Sequence, residues 1–555
     1  MKRILFAFIL ILTSTLLPAQ VTAPSLQGRA GGGSSSLLTG AGGGASSLLP
    51  GAGGGSSSSS AIESLQRAIA LTDATMQKSF VGNSLRMYDT YDTATGQGNG
   101  TADVWPYTAA LEAHCSVLEA LESLRDEAPD LYAQNHDRFV VRLRQLYDNL
   151  AYYAGTYVLN SYARVARWTI YGVHRAGTMG TAAVKGIENV YDDQMWLCRE
   201  LIRAYRLTAY EDYLKEATML ANYCIDGWDC CLDAAGNEYG GISWGPGYNS
   251  KHSCSNAPLI QPLVWLADIY RADDEAEDLR YYYIQPDGTR ANVMRRHSDV
   301  YLEMARKIYD WQKEKLLNRT TGVYWDMCGA VKGEIQYIKV GRETYREHVD
   351  LNGPSGTAYT YNSGTMLAGA AELYRVTSES AYLDDLNALA RSCFSRFTSS
   401  KRIDGTVYRL WPTDDVATSG FNTWFDDVLM RAYVDAAPYN TSPTPTALNS
   451  FLLNLNYAWE HHLRDGLLPI HLIDGWGDAT VTKGFHQMAF ASEYAMLAVW
   501  QQRQAQPDAI GQLPAERSAR TSLSECSIYD LQGRTATRPL RRGLYVLAGH
   551  KVLLQ

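Results

Sequence analysis

From Ala61 to about Ala505 the apolar residues recur at helical spacing. Leu143, Leu146, Tyr147 and Leu150 fall three and four apart, as do Leu197, Leu201, Ile202 and Tyr205. Strand alternation is nearly absent over this span, which predicts helices throughout. An internal echo is visible. Tyr205-Arg206-Leu207-Thr208 precedes Tyr213-Leu214, and Tyr374-Arg375-Val376-Thr377 precedes Tyr382-Leu383 at the same spacing. A looser copy has Tyr270-Arg271 before an insertion, then Tyr301-Leu302. Each unit reads as helix, tight turn, helix. Such hairpins repeated along the chain build an open α-solenoid or a closed α/α toroid. The linking segments are long and rich in Gly, Trp and Tyr, as in 226–256. Elaborated loops of that kind suit an enzyme toroid better than a scaffold.

The ends have other textures. Residues 1–23 carry Lys2 and Arg3, an apolar run from Leu5 to Leu12 and small residues near Ala19 and Ala23, the plan of a secretory signal peptide. No later apolar run is long enough for a membrane span. Residues 24–60 are low in complexity. AGGGSSSLLTG, AGGGASSLLPG and AGGGSSSSSAI follow one another from Ala30, and a Gly/Ser tract of this composition is expected to be a flexible tether. The helical domain is assigned to 61–505 and a second linker to 506–523. The tail 524–555 reads as short strands around turns, with Ile528-Tyr529-Asp530 and Gly543-Leu544-Tyr545-Val546. Its pattern resembles the C-terminal sorting domain read by the type IX secretion system of Bacteroidetes. The resemblance implies export to the cell surface or medium, with that machinery as a partner.

Composition narrows the class. Apolar residues at 46% and charged residues at 20% are those of a globular protein. With 50 basic against 59 acidic residues the net charge is −9, which argues against a nucleic-acid binder. The 37 tyrosines outnumber Phe and Trp together; flat rings with a polar edge suit sugar handling, and also a large helical core. The nine cysteines are scattered and include no CxxC pair, which excludes a zinc ribbon. Most read as small buried apolar residues, with one or two bridges open within 224–254. His461-His462 has no metal-ligand spacing with acids on one helix. No metal and no organic cofactor is expected.

Adjacent acids occur at Asp192-Asp193, Asp273-Asp274, Asp384-Asp385, Asp414-Asp415 and Asp426-Asp427. Most such pairs are solvated faces or helix caps. Asp192-Asp193 differs, because Tyr191, Met195, Trp196 and Leu197 flank it and a helix should begin there. Neighbouring residues on a helix point about 100° apart, so the two side chains can address one site from different angles. A retaining glycosidase needs carboxyl groups about 5–5.5 Å apart, which adjacent residues can reach. Close like charges also separate their pKa values. Asp426-Asp427, with Trp424 and Phe425 beside it, is the rival pair.

Several blocks carry a resemblance. YDDQMW at 191–196 is similar to the YDDEAWW motif of glycoside hydrolase family 76, the endo-α-1,6-mannanases. VWPYTAALEA at 104–113, YGGISWGPGYNSKHSCSNAPLI at 239–260, GVYWDMC at 322–328, YTYNSGTMLAGAAELYRVT at 359–377 and FNTWFDDVLMRAYVD at 421–435 resemble further family blocks, in order. The resemblance implies an all-α (α/α)6 barrel, with the tail as a small β appendage. It also implies retaining hydrolysis of α-1,6-mannosidic bonds, with Asp192 as nucleophile and Asp193 as general acid/base. Trp105, Tyr107, Trp244, Tyr248, Tyr361 and Trp424 are then candidate stacking surfaces for mannan, and Asn256, Asp326 and Asn362 candidate partners for its hydroxyls. Gln194, Leu197 and Ser363 depart from the family's pattern. The alternatives are a transglycosylase, or a non-catalytic glycan-binding protein, on the same toroid; a monomer is expected.

Overall fold

Two kinds of helix alternate along the chain, and their burial tells them apart. The structure is a computed structural model that describes residues 54–273, 276–413, 422–440, 442–505, 528–529, 543–547 and 550–554. Twelve α-helices lie among them: α1 Gly54–Ser79, α2 Val104–Ser123, α3 Pro129–Asn149, α4 Tyr191–Thr208, α5 Glu211–Asp226, α6 Ile260–Arg271, α7 His297–Leu316, α8 Thr360–Thr377, α9 Ser380–Phe397, α10 Thr423–Ala436, α11 Thr444–His462 and α12 Gly484–Ala505. α3 buries a stripe of Asn135, Phe139, Leu143, Leu146 and Asn149, the pattern of a helix with one face on a core. α12 buries every residue from Gly484 to Ala498, as only a helix surrounded on all sides does.

The surrounded helices form the inner ring. α2, α4, α6, α8, α10 and α12 each touch the next, and α12 touches α2, so the ring closes. α3, α5, α7 and α9 pack outside their preceding partners, α11 packs on α10 and α12, and α1 packs on α12 and α2. This is an (α/α)6 toroid. Because each hairpin returns the chain, all six inner helices run the same way and their N-termini share one end.

The repeated sequence motif is the turn between inner and outer helix. Thr208 and Thr377 each donate a hydroxyl hydrogen bond back to the carbonyl four residues earlier, at 2.7 Å in both cases. Each hydroxyl accepts from the backbone N–H two residues on, in Tyr210 and Glu379. Ala209 and Ser378 then turn the chain in the left-handed conformation, at φ 56° and 58°. The looser copy lacks this turn: Ala272 after α6 is right-handed, and a hairpin of Leu279–Ile284 and Arg290–Arg295 fills the insertion before α7.

The ring axis is a packed core. Glu112 on α2 accepts from Trp424 Nε1 at 2.9 Å, from Arg431 on α10, and from Arg199 on α4 at 3.5 Å. Arg199 also donates to Gln261 on α6 at 3.0 Å, and Gln261 donates to Asp435 at 2.8 Å. Burial alone would raise the Glu112 carboxyl, but Arg431, Arg199 and Arg203 hold it below the ordinary range. A cavity of about 10 Å³ beside Trp196 and Arg431 leaves room for about one water molecule.

The structure corrects three expectations. Strands are more common than the pattern implied: hairpins at 154–171, 337–346 and 399–410 rise between helices. Their half-exposed residues alternate too weakly to read as strands. α1 begins at Gly54, inside the tract assigned as linker. The eight described cysteines are all free, so no bridge forms within 224–254. At the C-terminus Ile528–Tyr529, Gly543–Leu547 and His550–Leu554 pair antiparallel in a three-stranded sheet, which is the β appendage. Residues 1–53, with the signal-peptide reading and most of the Gly/Ser tract, and the linker 506–523 lie outside the described residues. Among the described residues no helix is long and apolar enough to cross a membrane.

Candidate active site

Asp192 and Asp193 occupy the first turn of α4, at the shared N-terminal end of the inner ring. The residue before the helix, Val190, is extended, and the Tyr191 N–H donates to Trp244 O at 2.8 Å. That bond ties the 239–250 loop to the start of α4. Gly245 permits the approach, since a Cβ there would lie 2.6 Å from Asn189 O. Trp244 is thereby set beside the pair, with its ring 4.6 Å from Tyr248 and stacked on His252 at 4.9 Å.

A small sheet delivers the opposite groups. Lys251–His252 pairs with Met327–Ala330, which pairs with Leu351–Ser355. Asp326 directly precedes the middle strand, and its carbonyl accepts from the Ser253 N–H at 2.7 Å. Cys254 follows, and its thiol lies against both Asp192 and Tyr361. Tyr361, in the first turn of α8, donates its hydroxyl to Asp326 Oδ1 at 3.4 Å, stacks on Tyr359 and meets the tilted ring of Phe425 at 4.3 Å. Gly356 passes so close that a Cβ would meet Asp326 Cβ at 2.6 Å, and its φ of +87° suits glycine alone.

The electrostatics separate the two aspartates. Asp192 is half-buried, and burial pushes its carboxyl up to about 6; the Cys254 thiol, the backbone N–H groups of Asp192 and Asp193 and the Trp244 indole oppose the rise. The indole N–H is aimed at this carboxylate without closing a full hydrogen bond. Asp193 is 2% exposed, and burial, with the charges of Asp192 and Asp103 added, pushes its carboxyl well above the ordinary range. Asp326 also rises to about 6, through burial, with Tyr361 opposing and Asp192 adding. Asp192 Oδ1 and Asp193 Oδ2 are buried and unpartnered. The carboxyl of Asp192 is raised to about 6 and that of its neighbour Asp193 further above the ordinary range, so the two titrate apart.

The candidate residues divide. Trp244, Tyr248, Asp326 and Tyr361 gather around Asp192. Trp105 is half-buried, with its ring edge-on to Phe485 at 4.9 Å. Four candidates are held inside the protein. Tyr107 is fully buried against Phe80 and Tyr153. Asn256 spends its side chain on Ile242 N, Ile242 O and His252 O, holding the loop in shape. Asn362 is fully buried and donates to Thr357 O. Trp424 is buried and bonded to Glu112. Cys254 and Asp103 are missing from the candidates. Asp103 precedes α2, and its Oδ1 accepts from His174 Nδ1 at 2.7 Å.

The sequence profile of glycosyl hydrolase family 76 matches residues 166–278 and 291–447, which hold the whole cluster except Trp105 and Asp103. The chain belongs to glycosyl hydrolase family 76. It is a glycoside hydrolase. No curated relative matches it in sequence. The family 76 glycoside hydrolase (mannosidase) of Bacteroides thetaiotaomicron superposes with a TM-score of 0.56 at 20% identity, over 80% of this chain and 100% of that one. An α-mannanase of the family from the same organism gives 0.54 at 16%, over 79% and 96%. The α-1,6-mannanase of Salegentibacter sp. gives 0.51 at 20%, over 78% and 99%; it was solved with α-1,6-mannotriose as an inactive variant in which two consecutive aspartates are asparagines.

The departures of this family 76 hydrolase from its family's pattern have structural uses. Gln194 donates to Tyr171 O at 2.8 Å and accepts from Tyr171 N at 3.1 Å. An ionised Glu could only accept. Leu197 is fully buried in the core. Ser363 Oγ accepts from Tyr324 N at 3.1 Å and so steadies the segment leading to Asp326. None of the three faces the carboxyl pair as a reacting group.

Proposed function

We propose that this enzyme is a retaining endo-α-1,6-mannanase. The observation that carries the reading is the Asp192-Asp193 pair, each with one buried oxygen left unpartnered, at the head of α4 beside Trp244 and Tyr248. The relatives with solved structures include α-1,6-mannanases, and loss of two consecutive aspartates accompanies inactivity in one of them.

In this mechanism the Asp192 carboxylate attacks the anomeric carbon of the mannosyl unit. Asp193 gives its proton to the departing glycosidic oxygen, and a mannosyl ester on Asp192 results. Asp193, now a carboxylate, takes a proton from water as that water attacks the same carbon. The ester opens, Asp192 is regenerated and the product keeps its α configuration. The N-terminus of α4 favours negative charge at Asp192 throughout. Trp244 and Tyr248 supply flat apolar surface for the sugar ring. The basic, apolar start of the chain and its C-terminal sheet support an exported protein, with type IX machinery as the route.

Digestion of linear α-1,6-mannan tests the substrate and the endo mode together. Short oligosaccharides of mixed length at early times are expected. Release of mannose alone would contradict endo action, and an untouched polymer would contradict the substrate.

A further inference from the structure

A cavity of about 210 Å³ lies between α10, α11 and α12, bordered by the 399–410 hairpin and residues 470–474. None of its lining residues belongs to the Asp192 cluster. Asp426 on α10, Asn454 on α11 and Glu493 on α12 line it, at 5%, 5% and 2% exposure. In each, one side-chain oxygen is buried with no hydrogen-bond partner: Asp426 Oδ1, Asn454 Oδ1 and Glu493 Oε2. A buried polar atom left without a partner is costly to the fold. Three of them, from three helices, converge on one space.

The rest of the wall mixes apolar side chains, among them Trp411, Phe451 and Phe490, with the polar Thr413, Thr423 and His471. Trp411 stacks on Phe451 at 4.4 Å with 12° between the planes, and its N–H donates to Ser450 Oγ at 2.9 Å. Burial pushes the carboxyls of Asp426 and Glu493 well above the ordinary range; the Thr360 hydroxyl opposes at Asp426, while the charges of Asp427 and Asp426 add at Glu493. A shift in that direction favours the protonated form, which can donate as well as accept. Groups that bond hydroxyls, set around aromatic rings, match a ring with polar edges and an apolar face. Among the described residues no group of three or more His, Cys, Asp or Glu could hold a metal ion. At about 30 Å³ of liquid volume for each water, a space of about 210 Å³ holds on the order of seven.

We propose that this cavity is a second saccharide pocket, which takes one pyranose unit on Trp411 and bonds its hydroxyls through Asp426, Asn454 and Glu493. Asn454, Leu472 and Glu493 lie beyond the residues that the family profile matches. It does not rest on the linkage assigned to the reaction.

Crystals soaked in D-mannose test the pocket directly. A pyranose within hydrogen-bond distance of Asp426, Asn454 and Glu493 is expected, and Leu472→Trp, which narrows the cavity from a half-buried position, should exclude it while leaving turnover unchanged. In solution, Glu493→Met should weaken D-mannose binding at this site about tenfold without lowering the melting temperature of the free protein, because an apolar isostere removes an orphaned group. Water alone in the cavity, mannose binding untouched by Leu472→Trp, or ethylammonium bound there in preference to mannose would each overturn the proposal. A loss of stability in Glu493→Met with no change in mannose binding would do the same, assigning the carboxyl to structure. Since the readout is binding, absence of mannan cleavage would leave this result standing.

Discussion

Asp192-Asp193 and Asp426-Asp427 begin as equals. Each pair lies in the first turns of an inner helix, at the same end of the ring, with aromatic neighbours. Their surroundings then part. Asp192 is half-buried and touched by a thiol, an indole and backbone N–H groups. Asp427 is fully buried against the Glu112–Arg431–Arg199 network, where burial and the Glu112 charge push its carboxyl up although both arginines oppose. Asp426 faces a separate cavity. In the first pair one member is partly exposed and the other is shielded beside it, whereas in the second both acids are shielded, on different sides of one helix.

Substitutions should widen this contrast. Asp192→Asn or Asp193→Asn is expected to lower turnover about a thousandfold, while Asp427→Asn keeps turnover within a few-fold; steady-state kinetics on mannan reads both. Arg431→Met leaves Glu112 buried and poorly paired, so the denaturation midpoint should fall by the equivalent of about 3–5 kcal/mol. Gln194→Glu keeps the size but removes the donor to Tyr171 O, at a cost of about 1–3 kcal/mol by the same measurement. Trp244→Ala should raise KM about tenfold, near 1.4 kcal/mol, with a smaller change in kcat.

The smallest effect is on pH. Folded Asp192 holds its proton up to about 6 instead of the ordinary 3.8. Between those values the folded chain binds more protons than the unfolded one, so this group's contribution to stability falls as pH rises. Asp192→Asn removes that loss, and its melting temperature should gain on the parent between about pH 4 and about pH 7. The acid limb of kcat/KM in the parent should lie near pH 6, set by the same group.

Much of this was legible in the chain. The Tyr-Arg-x-Thr echo encodes a turn in which a threonine hydroxyl bonds backwards and forwards, and that turn recurs at Thr208 and Thr377. The setting of Asp192 among apolar residues marked a helix start that is not a solvated cap. Tyr107, Asn256, Asn362 and Trp424 were not separable from the exposed aromatics and amides. Inner helices are buried all round, so helical spacing does not tell a side chain at the ring's open end from one in its core. Asn256 shows the difficulty: a polar residue in a Gly-rich loop reads as a ligand contact, yet its amide is spent on its own loop. Cys254 gave no signal because its importance comes from a sheet that pairs residues far apart, His252 with Met327.

The most direct test of the central claim is the anomer first released from linear α-1,6-mannan, followed by NMR before mutarotation. The α anomer should appear first with the parent enzyme and be lost with Asp192→Asn. A β anomer first, or undiminished release by Asp192→Asn, would contradict the assignment of Asp192 as the nucleophile.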